Sequence, residues 1–484
     1  MQIFITDALP IEVEAVVRLV PQQREVVRGV WQDKNGITHS VYAKKFLGNR
    51  AFKHFQRDLA GVNRLLAANI ATPPLLFEGE VEQKNAAYVA IFSAIKDAKN
   101  AEEIWCNLSE EARFNLAYKL VQAVAQHHRA GLQQTDLYLK NFLVANDVIY
   151  SLDGDGIRPL PAMFRRYQQL KNLATLFSKM DVLEDVWIER LYKTYCQETG
   201  IDFALSCALN VQYLTEQIRY QVTSRYADKK VFRSCTDVKV TQIFRRFEAI
   251  AADFGLACPD LSSLDQFLLK AELNIKNGRT CTISMALLAS KQVIIKRYNI
   301  KHFWHGVNRA FRSSRAAKSW ANAHRLIISN IATAKPLALV EERFGCLRRR
   351  AYYLSEYIDA PDVMQFFAQV AQLDDKRNAA RNLALLFYKM YLLKFSHGDC
   401  KASNIKIVNL APVLIDLDAM QVYFGGIFSD WWFERKHIKD LKRLMKNWEN
   451  DTEVTALLKQ AFMLEYAAVS PNVHHGILFR AGIT

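Results

Sequence analysis

The chain has 484 residues, of which 50% are hydrophobic and 23% are charged, and its formal net charge is +15. This composition excludes a disordered or fibrous protein, because the apolar side chains suffice for packed cores, and the length favours about two to four domains. Nearly all of the excess charge lies in residues 201–350, which contain 25 basic and 11 acidic side chains. Such a basic region predicts an anionic partner, such as a phosphate group, a nucleic acid or an acidic membrane surface.

Apolar periodicity predicts the elements of the first half of the chain. In chain order they are strands at 24–31 and 39–46, a helix at 51–68, strands at 75–80 and 86–92, a helix at 109–129, strands at 142–145 and 148–152, and several helices within 165–250. The first half is therefore expected to form a strand-rich lobe that is followed by a helical lobe.

The second half repeats this order of elements. The predicted elements are strands at 269–275, 280–288 and 291–298, a helix at 314–328, strands at 336–341 and 351–357, a helix at 378–395, strands at 405–408 and 413–417, and a helical tail. The predicted fold class is α+β in both halves.

Two motifs also recur at a nearly constant offset. Residues 64–72 are echoed by residues 325–333, which lie 261 residues later. Asp136, Asn141 and Asp153 are matched by Asp399, Asn404 and Asp416, each 263 residues later. Recurrence in the same order indicates a duplicated domain. We place the two domains at 1–257 and 258–484.

The eight cysteines are scattered and form no C-x-x-C pair, which predicts free thiols in a reducing compartment. The start of the chain lacks the basic run of a signal peptide. No apolar run reaches the roughly 18 residues that cross a bilayer. We therefore expect a cytoplasmic protein that can attach peripherally to a membrane.

The repeated polar residues have the pattern of phosphoryl-transfer chemistry. In the second copy, His397-Gly398-Asp399 is followed by Asn404 and, after a short predicted hairpin, by Asp416. Such enzymes use one carboxylate to orient or deprotonate the attacking hydroxyl, an Asn and a second carboxylate to bind Mg²⁺, and a strand lysine to contact the ATP phosphates. Residues 293–296, Val-Ile-Ile-Lys, have the matching pattern of a strand lysine.

These motifs resemble the protein-kinase-like fold and, more closely, the bacterial lipopolysaccharide core kinases, which phosphorylate Kdo or heptose. The likeness rests on residues 397–404 and 414–418 in the second copy and on Thr135–Leu143 in the first copy, and it spans most of both halves. It implies two tandem bilobal kinase domains with ATP and Mg²⁺ as cofactors. It also implies a lipopolysaccharide core or another anionic glycolipid as the substrate, met at the inner face of the bacterial inner membrane.

The resemblance implies the same roles in both copies. These are Asp136 and Asp399 as catalytic bases, Asn141, Asp153, Asn404 and Asp416 as metal ligands, and Lys44, Lys296, Lys401 and Asp58 as nucleotide-binding residues, with Asp58 pairing with Lys44.

Three departures from the family pattern stand out. Gln134 replaces the loop histidine in the first copy, and Ser319 occupies the position of Asp58 in the second copy. Neither copy contains a G-x-G-x-x-G loop. The complete loop makes the second copy the stronger candidate for the active domain.

The basic region contains an insertion that the first copy lacks. It falls within residues 301–315 and mixes basic with aromatic side chains, which fits either a solvated helix face or a segment at the membrane interface. No nucleic-acid-binding motif accompanies it, so we expect peripheral contact with an anionic membrane through 201–350 rather than with nucleic acid. Two alternatives stay open: a phosphotransferase that acts on another small-molecule or protein hydroxyl, and a scaffold in which one or both copies are pseudokinases.

Overall fold

The computed structural model describes residues 2–6, 8–20, 22–82, 87–254, 261–269, 274–278, 281–288, 290–299, 313–345, 347–370, 372–467 and 471–484. The chain forms two compact units: the first comprises Met1–Met180 and Glu184–Ile218, and the second comprises Asp181–Leu183 and Arg219–Thr484. Residues 219–257 thus lie in the second unit, whereas the boundary between the two sequence copies stays a prediction. Residues 301–312 of the basic insertion lie outside the described residues.

A six-stranded antiparallel sheet opens the first unit, with the strand order β1-β2-β3-β4-β6-β5. Its strands are β1 (Gln2–Ile5), β2 (Ala8–Val20), β3 (Arg24–Gln32), β4 (Thr38–Phe46), β5 (Leu75–Glu80) and β6 (Tyr88–Ser93). Helix α1 (Ala51–Ala67) packs on the sheet because Phe55, Leu59 and Val62 form one apolar stripe that is buried with Phe46. The sequence predicted this sheet except for β1 and β2, which precede its first predicted strand.

The rest of the first unit is mainly helical. Its helices are α2 (Ala101–Trp105), α3 (Glu110–Arg129), α4 (Arg165–Phe177), α5 (Ile188–Thr199) and the start of α6 (Leu205–Asp228), and its short strands are β7 (Lys99–Asn100), β8 (Leu132–Gln134), β9 (Phe142–Ala145), β10 (Val148–Ser151) and β11 (Ile157–Pro159). Helix α3 is capped at its N-terminus by Ser109, whose hydroxyl accepts a hydrogen bond from the Ala112 N–H. Its buried face shares a core with Phe142 of β9 and with Leu137 and Leu139 of the loop that carries Asp136.

A seven-stranded sheet dominates the start of the second unit, with the order β12-β13-β17-β18-β16-β15-β14. Its strands are β12 (Val238–Ile243), β13 (Arg246–Ala251), β14 (Asn274–Asn277), β15 (Cys281–Leu288), β16 (Lys291–Tyr298), β17 (Pro336–Phe344) and β18 (Leu347–Glu356), and its helices are α7 (Leu261–Leu269) and α8 (Arg315–Ile328).

Strands β12 and β13 correct the prediction of several helices within residues 165–250, because the end of that range is a pair of strands. Phe247, Ala249 and Ala251 are buried and alternate with less buried residues, which is the period of a strand. β13 pairs with residues of β17 that lie 88–96 residues further along the chain, so this pairing could not be predicted locally. The strand predicted at 269–275 is also wrong at its start, because Leu269 ends α7 and β14 begins at Asn274.

Helices again make up the remainder of the second unit. They are α9 (Val363–Gln369), α10 (Leu373–Leu392), α11 (Ile427–Met445), α12 (Thr452–Ala467) and α13 (Pro471–Ala481), and the short strands are β19 (Phe395–Ser396), β20 (Ile405–Val408), β21 (Ala411–Leu414) and β22 (Gln421–Val422). Leu383, Phe387 and Phe462 are buried in a core that α10 and α12 share. Within the described ranges, no helix combines the length and the apolar character needed to cross a membrane.

Candidate functional site

Lys44 on β4 and Asp58 on α1 form an ion pair in the first unit. Lys44 Nζ donates to both carboxylate oxygens of Asp58 at 3.0 Å, and Asp58 is fully buried. Burial raises the pKa of Asp58, and Lys44 opposes that rise. The fully buried Asp58 depends on this pair, because removing Lys44 would leave its carboxylate without the cation that is bonded to it.

Asp153 follows β10 and lies beside this pair. Its backbone is left-handed, with φ of 62°, and its Oδ1 lies 3.8 Å from Lys44 Nζ. Arg24, at the start of β3, donates to the same oxygen at 3.3 Å. Burial opposes the charge on Asp153, but Lys44 and Arg24 outweigh it and hold the pKa of that carboxyl below its ordinary value. Arg24 was not among the predicted site residues.

A close backbone contact holds α1 against the turn that follows Asp153. Gly61 of α1 faces Gly154, and a Cβ atom added to either glycine would collide with the backbone of the other element. Asp58 Oδ1 adds a hydrogen bond from the N–H of Asp155 at 3.1 Å. The helix that carries Asp58 and the turn that carries Asp153 are therefore joined by a direct backbone contact and by the Asp58 carboxylate.

The loop after β8 holds Asp136 in a defined place. The side-chain amide of Asn141 donates to the backbone oxygen of Asp136 at 2.8 Å, and the N–H of Leu152 donates to the backbone oxygen of Asn141 at the same distance. The residue Asp136 is exposed. Its carboxylate can therefore meet a ligand from solvent while the backbone beneath it stays fixed.

The second unit has the same loop contacts. The side-chain amide of Asn404 donates to the backbone oxygen of Asp399 at 2.8 Å, and the N–H of Ile415 donates to the backbone oxygen of Asn404 at 2.9 Å. Asp416 also has a left-handed backbone, with φ of 61°. The offset of 263 residues in sequence thus corresponds to a repeated set of hydrogen bonds.

The lysine of the second unit has different partners. Lys296 on β16 donates to Asp416 Oδ1, and its Nζ lies 3.7 Å from Asp418 Oδ2. Burial opposes the charge on Lys296, but Tyr298 and the two aspartates outweigh it and raise the pKa above its ordinary value. Ser319, at the position of Asp58, is instead hydrogen-bonded to the Tyr298 hydroxyl at 2.9 Å.

Asp399 is ion-paired, unlike the exposed Asp136. Arg443 of α11 lies 2.6 Å from Asp399 Oδ1, and Lys401 Nζ lies 3.6 Å from Oδ2. A ligand that approaches Asp399 must therefore displace or share these cations. Lys401 was predicted from its spacing in the loop, whereas Arg443 was missed.

Two further loop anchors were also missed. Asp440 on α11 accepts hydrogen bonds from the Ser396 hydroxyl at 2.8 Å and from the Gly398 N–H at 3.1 Å, and burial raises its pKa. In the first unit, the side-chain amide of Asn172 on α4 donates to the backbone oxygen of Gln134 at 2.8 Å. Both anchors lie more than thirty residues beyond their loops, on helices whose sequence carries no loop motif.

Gln134 and His397 have the same structural role. Gln134 Nε2 donates to the backbone oxygen of Leu152 at 3.3 Å, and His397 Nε2 lies 3.0 Å from the backbone oxygen of Ile415. Each acceptor is 18 residues beyond its partner. The glutamine therefore preserves the loop-anchoring contact, and its presence no longer favours the second copy over the first.

We expect Gln134→Leu to destabilise the first unit by about 1–3 kcal/mol, because the backbone oxygen of Leu152 would lose the hydrogen-bond donor that Gln134 supplies. Gln134→His should stay within about 1 kcal/mol of the natural chain, since it can restore the contact seen at His397. Urea denaturation measures both free energies of unfolding, and Gln133→Leu is the matched control. Equal losses for Leu and His at position 134 would contradict a hydrogen-bonding role.

The polar groups of both units suit a magnesium–nucleotide complex. An Asn amide oxygen and an ionised Asp are hard oxygen donors, and Mg²⁺ is commonly held by one or two carboxylates plus substrate phosphates. Burial alone would raise the pKa of Asp416, but Lys296 outweighs it and holds that pKa below its ordinary value. The pKa of Asp153 is lowered as well, so both carboxylates are charged near neutral pH. Among the described residues, no three His, Cys, Asp or Glu side chains form a self-sufficient metal cluster.

Comparison with protein families adds an independent finding. The family model described as "Lipopolysaccharide kinase (Kdo/WaaP) family" matches residues 22–195 and 271–466, which together make up most of the chain. The two matches contain the two loops described above. No curated protein matches the chain.

Proposed function

The chain belongs to the lipopolysaccharide kinase (Kdo/WaaP) family, and from this membership we propose that it transfers the γ-phosphate of ATP to a heptose or Kdo hydroxyl of the lipopolysaccharide inner core. Membership of this family indicates a kinase, and the two matched segments are consistent with two tandem copies. We place the reaction at the cytoplasmic face of the inner membrane, where an ATP-dependent enzyme can meet a membrane-bound saccharide.

We propose that the first unit carries the larger share of the reaction. Asp136 accepts the proton of the attacking sugar hydroxyl while that oxygen forms a bond to the γ-phosphorus and the bond to the β-phosphate oxygen breaks. Lys44, oriented by Asp58, binds the phosphates, and Asn141 and Asp153 hold Mg²⁺. When bound, Mg²⁺ neutralises phosphate charge that builds up during transfer.

Asp399, Asn404 and Asp416 have the corresponding roles in the second unit, with Lys296 and Lys401 as its phosphate-binding lysines. Lys296 is bonded to Asp416 rather than to a helix acid, and Asp399 is held by Arg443. Nucleotide and acceptor must displace or share these cations before the second unit can react. This requirement is our reason to rank the second unit below the first.

Arg24 offers a substitute for the missing glycine loop. It lies at the start of β3, on the hairpin that precedes the strand of Lys44, and its guanidinium lies near both Asp153 and Asp155. A guanidinium can bind a phosphate through two parallel hydrogen bonds, which a glycine loop would supply from backbone N–H groups. We propose that Arg24 contacts the ATP phosphates of the first unit.

The proposal is supported above all by one observation: each unit has a strand lysine beside a left-handed aspartate, and a loop aspartate whose backbone oxygen is bonded by an asparagine. Asn141 and Asn404 make the same hydrogen bond to the backbone of their loop aspartates, Asp136 and Asp399. A fold that did not catalyse phosphate transfer would not need to keep this bond in both copies. A duplicated scaffold under no catalytic constraint would be free to lose these polar side chains independently.

The test uses γ-labelled ATP, Mg²⁺ and dephosphorylated core oligosaccharide with the purified full-length chain. We expect label in the saccharide from the natural chain and at most about one hundredth of that rate from the Asp153→Asn/Asp416→Asn double variant. If a protein or small-molecule acceptor were labelled and the saccharide were not, the substrate would be another hydroxyl and not that of the lipopolysaccharide core. Failure of the natural chain to bind Mg-ATP would favour a scaffold.

A further inference from the structure

Helix α11 begins with four large apolar side chains that face solvent. Ile427 and Phe428 are 86% and 85% exposed, and Trp431 and Trp432 are about half exposed. We call these four residues the apolar tip. A contiguous patch of this kind on a soluble protein usually marks a surface that binds a partner or a membrane.

The solvent-facing side of α11 turns basic immediately after the apolar tip. Arg435, Lys439 and Lys442 are exposed, and their spacing of four and three residues places them on one face of the helix. Arg435 stacks over the Trp431 ring at 4.7 Å from its centroid. The nearby acids Asp430 and Glu434 are already paired, with Lys394 at 2.6 Å and Arg480 at 3.0 Å. The apolar tip is therefore followed by a face with excess positive charge.

The same helix supports the loop that carries Asp399. Asp440 binds the Gly398 N–H, and Arg443 binds the Asp399 carboxylate. Twelve residues separate Phe428 from Asp440, which corresponds to about 18 Å along a helix. A partner bound at the apolar tip would thus be held at a set distance from the candidate catalytic loop.

The first unit carries a similar exposed group at the equivalent position. Met163 and Phe164 are 73% and 74% exposed and directly precede α4, the helix whose Asn172 supports the loop of Asp136. Phe164 corresponds to Ile427 at the offset of 263 residues that relates the two loops. Recurrence at one position of both copies indicates a role that has been kept rather than an accidental exposure.

We infer that the apolar tip of α11 docks on an anionic lipid surface. Its aliphatic and aromatic side chains would enter the boundary between headgroups and acyl chains, while Arg435, Lys439 and Lys442 would contact lipid phosphates. The apolar end and the adjoining basic face match these two layers of a bilayer surface, whereas a protein partner would need an acidic rim of its own. The inference rests on the proposed function in taking the substrate to be a membrane-bound glycolipid.

The test measures binding of the full-length chain to vesicles by co-sedimentation. The vesicles contain either phosphatidylcholine alone or an equal mixture of phosphatidylcholine and phosphatidylglycerol. We expect the natural chain to prefer the mixed vesicles. The Ile427→Ser/Phe428→Ser variant should have a vesicle partition coefficient about tenfold or more lower, because it lacks two large apolar side chains whose removal from water favours binding. Lys439→Glu/Lys442→Glu should also weaken binding at low salt, and the effect should shrink at high salt.

Leu464→Ser is the matched control, since Leu464 is an exposed apolar residue of α12 in the same unit and should leave binding unchanged. Unchanged vesicle binding by the Ile427→Ser/Phe428→Ser variant would overturn the inference. So would a dimer of the natural chain that these substitutions dissociate, because a second copy would then be the occupant of the apolar tip. Phosphate transfer to delipidated oligosaccharide, measured in parallel, should be retained by the tip variant. If the natural chain itself showed no phosphate transfer, the proposed function would be refuted, and the result on vesicle binding would still stand.

Discussion

Asp136→Asn is expected to lower the rate of phosphate transfer to core oligosaccharide by about a hundredfold or more. Asn cannot accept the proton of the attacking hydroxyl, and general-base catalysis commonly contributes about 10²–10⁴-fold to a rate. Because Asp136 is exposed and its backbone is held by Asn141, the substitution should leave the loop in place. The measurement is the initial rate at saturating Mg-ATP, with nucleotide affinity determined separately.

Asp399→Asn should have a smaller effect on the same rate, because Arg443 and Lys401 already occupy that carboxylate. Asp147→Asn serves as the control for charge, since Asp147 is a highly exposed aspartate of the first unit that pairs with Lys119. A larger loss in Asp399→Asn than in Asp136→Asn would make the second unit the principal catalytic one. Full activity in both single variants and in their combination would refute both base assignments.

Asp58→Asn is expected to weaken ATP binding to the first unit and to destabilise it by about 3–5 kcal/mol, the usual cost of breaking a buried ion pair. Without the Asp58 carboxylate, the remaining acidic partner of Lys44 is Asp153, which lies 3.8 Å away and is proposed to bind the metal. The lysine would then compete with Mg²⁺ for that oxygen. Isothermal titration with Mg-ATP and urea denaturation report the two effects separately.

Ser319→Ala provides the matched comparison in the second unit. Ser319 occupies the position of Asp58 but contacts Tyr298, so its removal should cost about 1 kcal/mol of stability and leave nucleotide affinity nearly unchanged. Comparable losses of ATP affinity in Asp58→Asn and Ser319→Ala would contradict a special role for the Lys44–Asp58 pair. An unfolded Asp58→Asn variant can be replaced by Asp58→Glu, which keeps the charge and should restore part of the affinity.

The positions of the loop residues and of the two strand lysines could be predicted because their spacing is local or repeated. Asp136 and Asn141 are five residues apart, and the second copy repeats that spacing, so chance could be discounted from sequence alone. The sheet around Lys44 also followed from short apolar alternations. The proposed catalytic and metal-binding roles of these residues stay predictions until the variants above are measured.

The site residues that could not be predicted from the sequence contact partners that lie far away along the chain. Asp440 reaches Gly398 over 42 residues, and Arg24 reaches Asp153 over 129 residues. Neither residue belongs to a motif, and an acid on a basic helix or an arginine at a strand end is usually solvated. Strands β12 and β13 were misassigned for the same reason, because the pairing of β13 with the distant β17, and of β12 with β13, decides their structure more than their own composition does.

The contact between Gly61 and Gly154 has a consequence for how the two copies can diverge. In the second unit the corresponding helix is held by a side chain, since the Asn322 amide donates to the backbone oxygen of Leu417 at 2.9 Å. At this position one copy thus joins its helix to the turn by backbone contact, and the other joins them through a side-chain amide. Neither solution can be reached from the other by a single substitution without a collision or a lost bond. The two positions must therefore change together, and recombination that exchanges only the helix between copies should yield a chain that folds poorly.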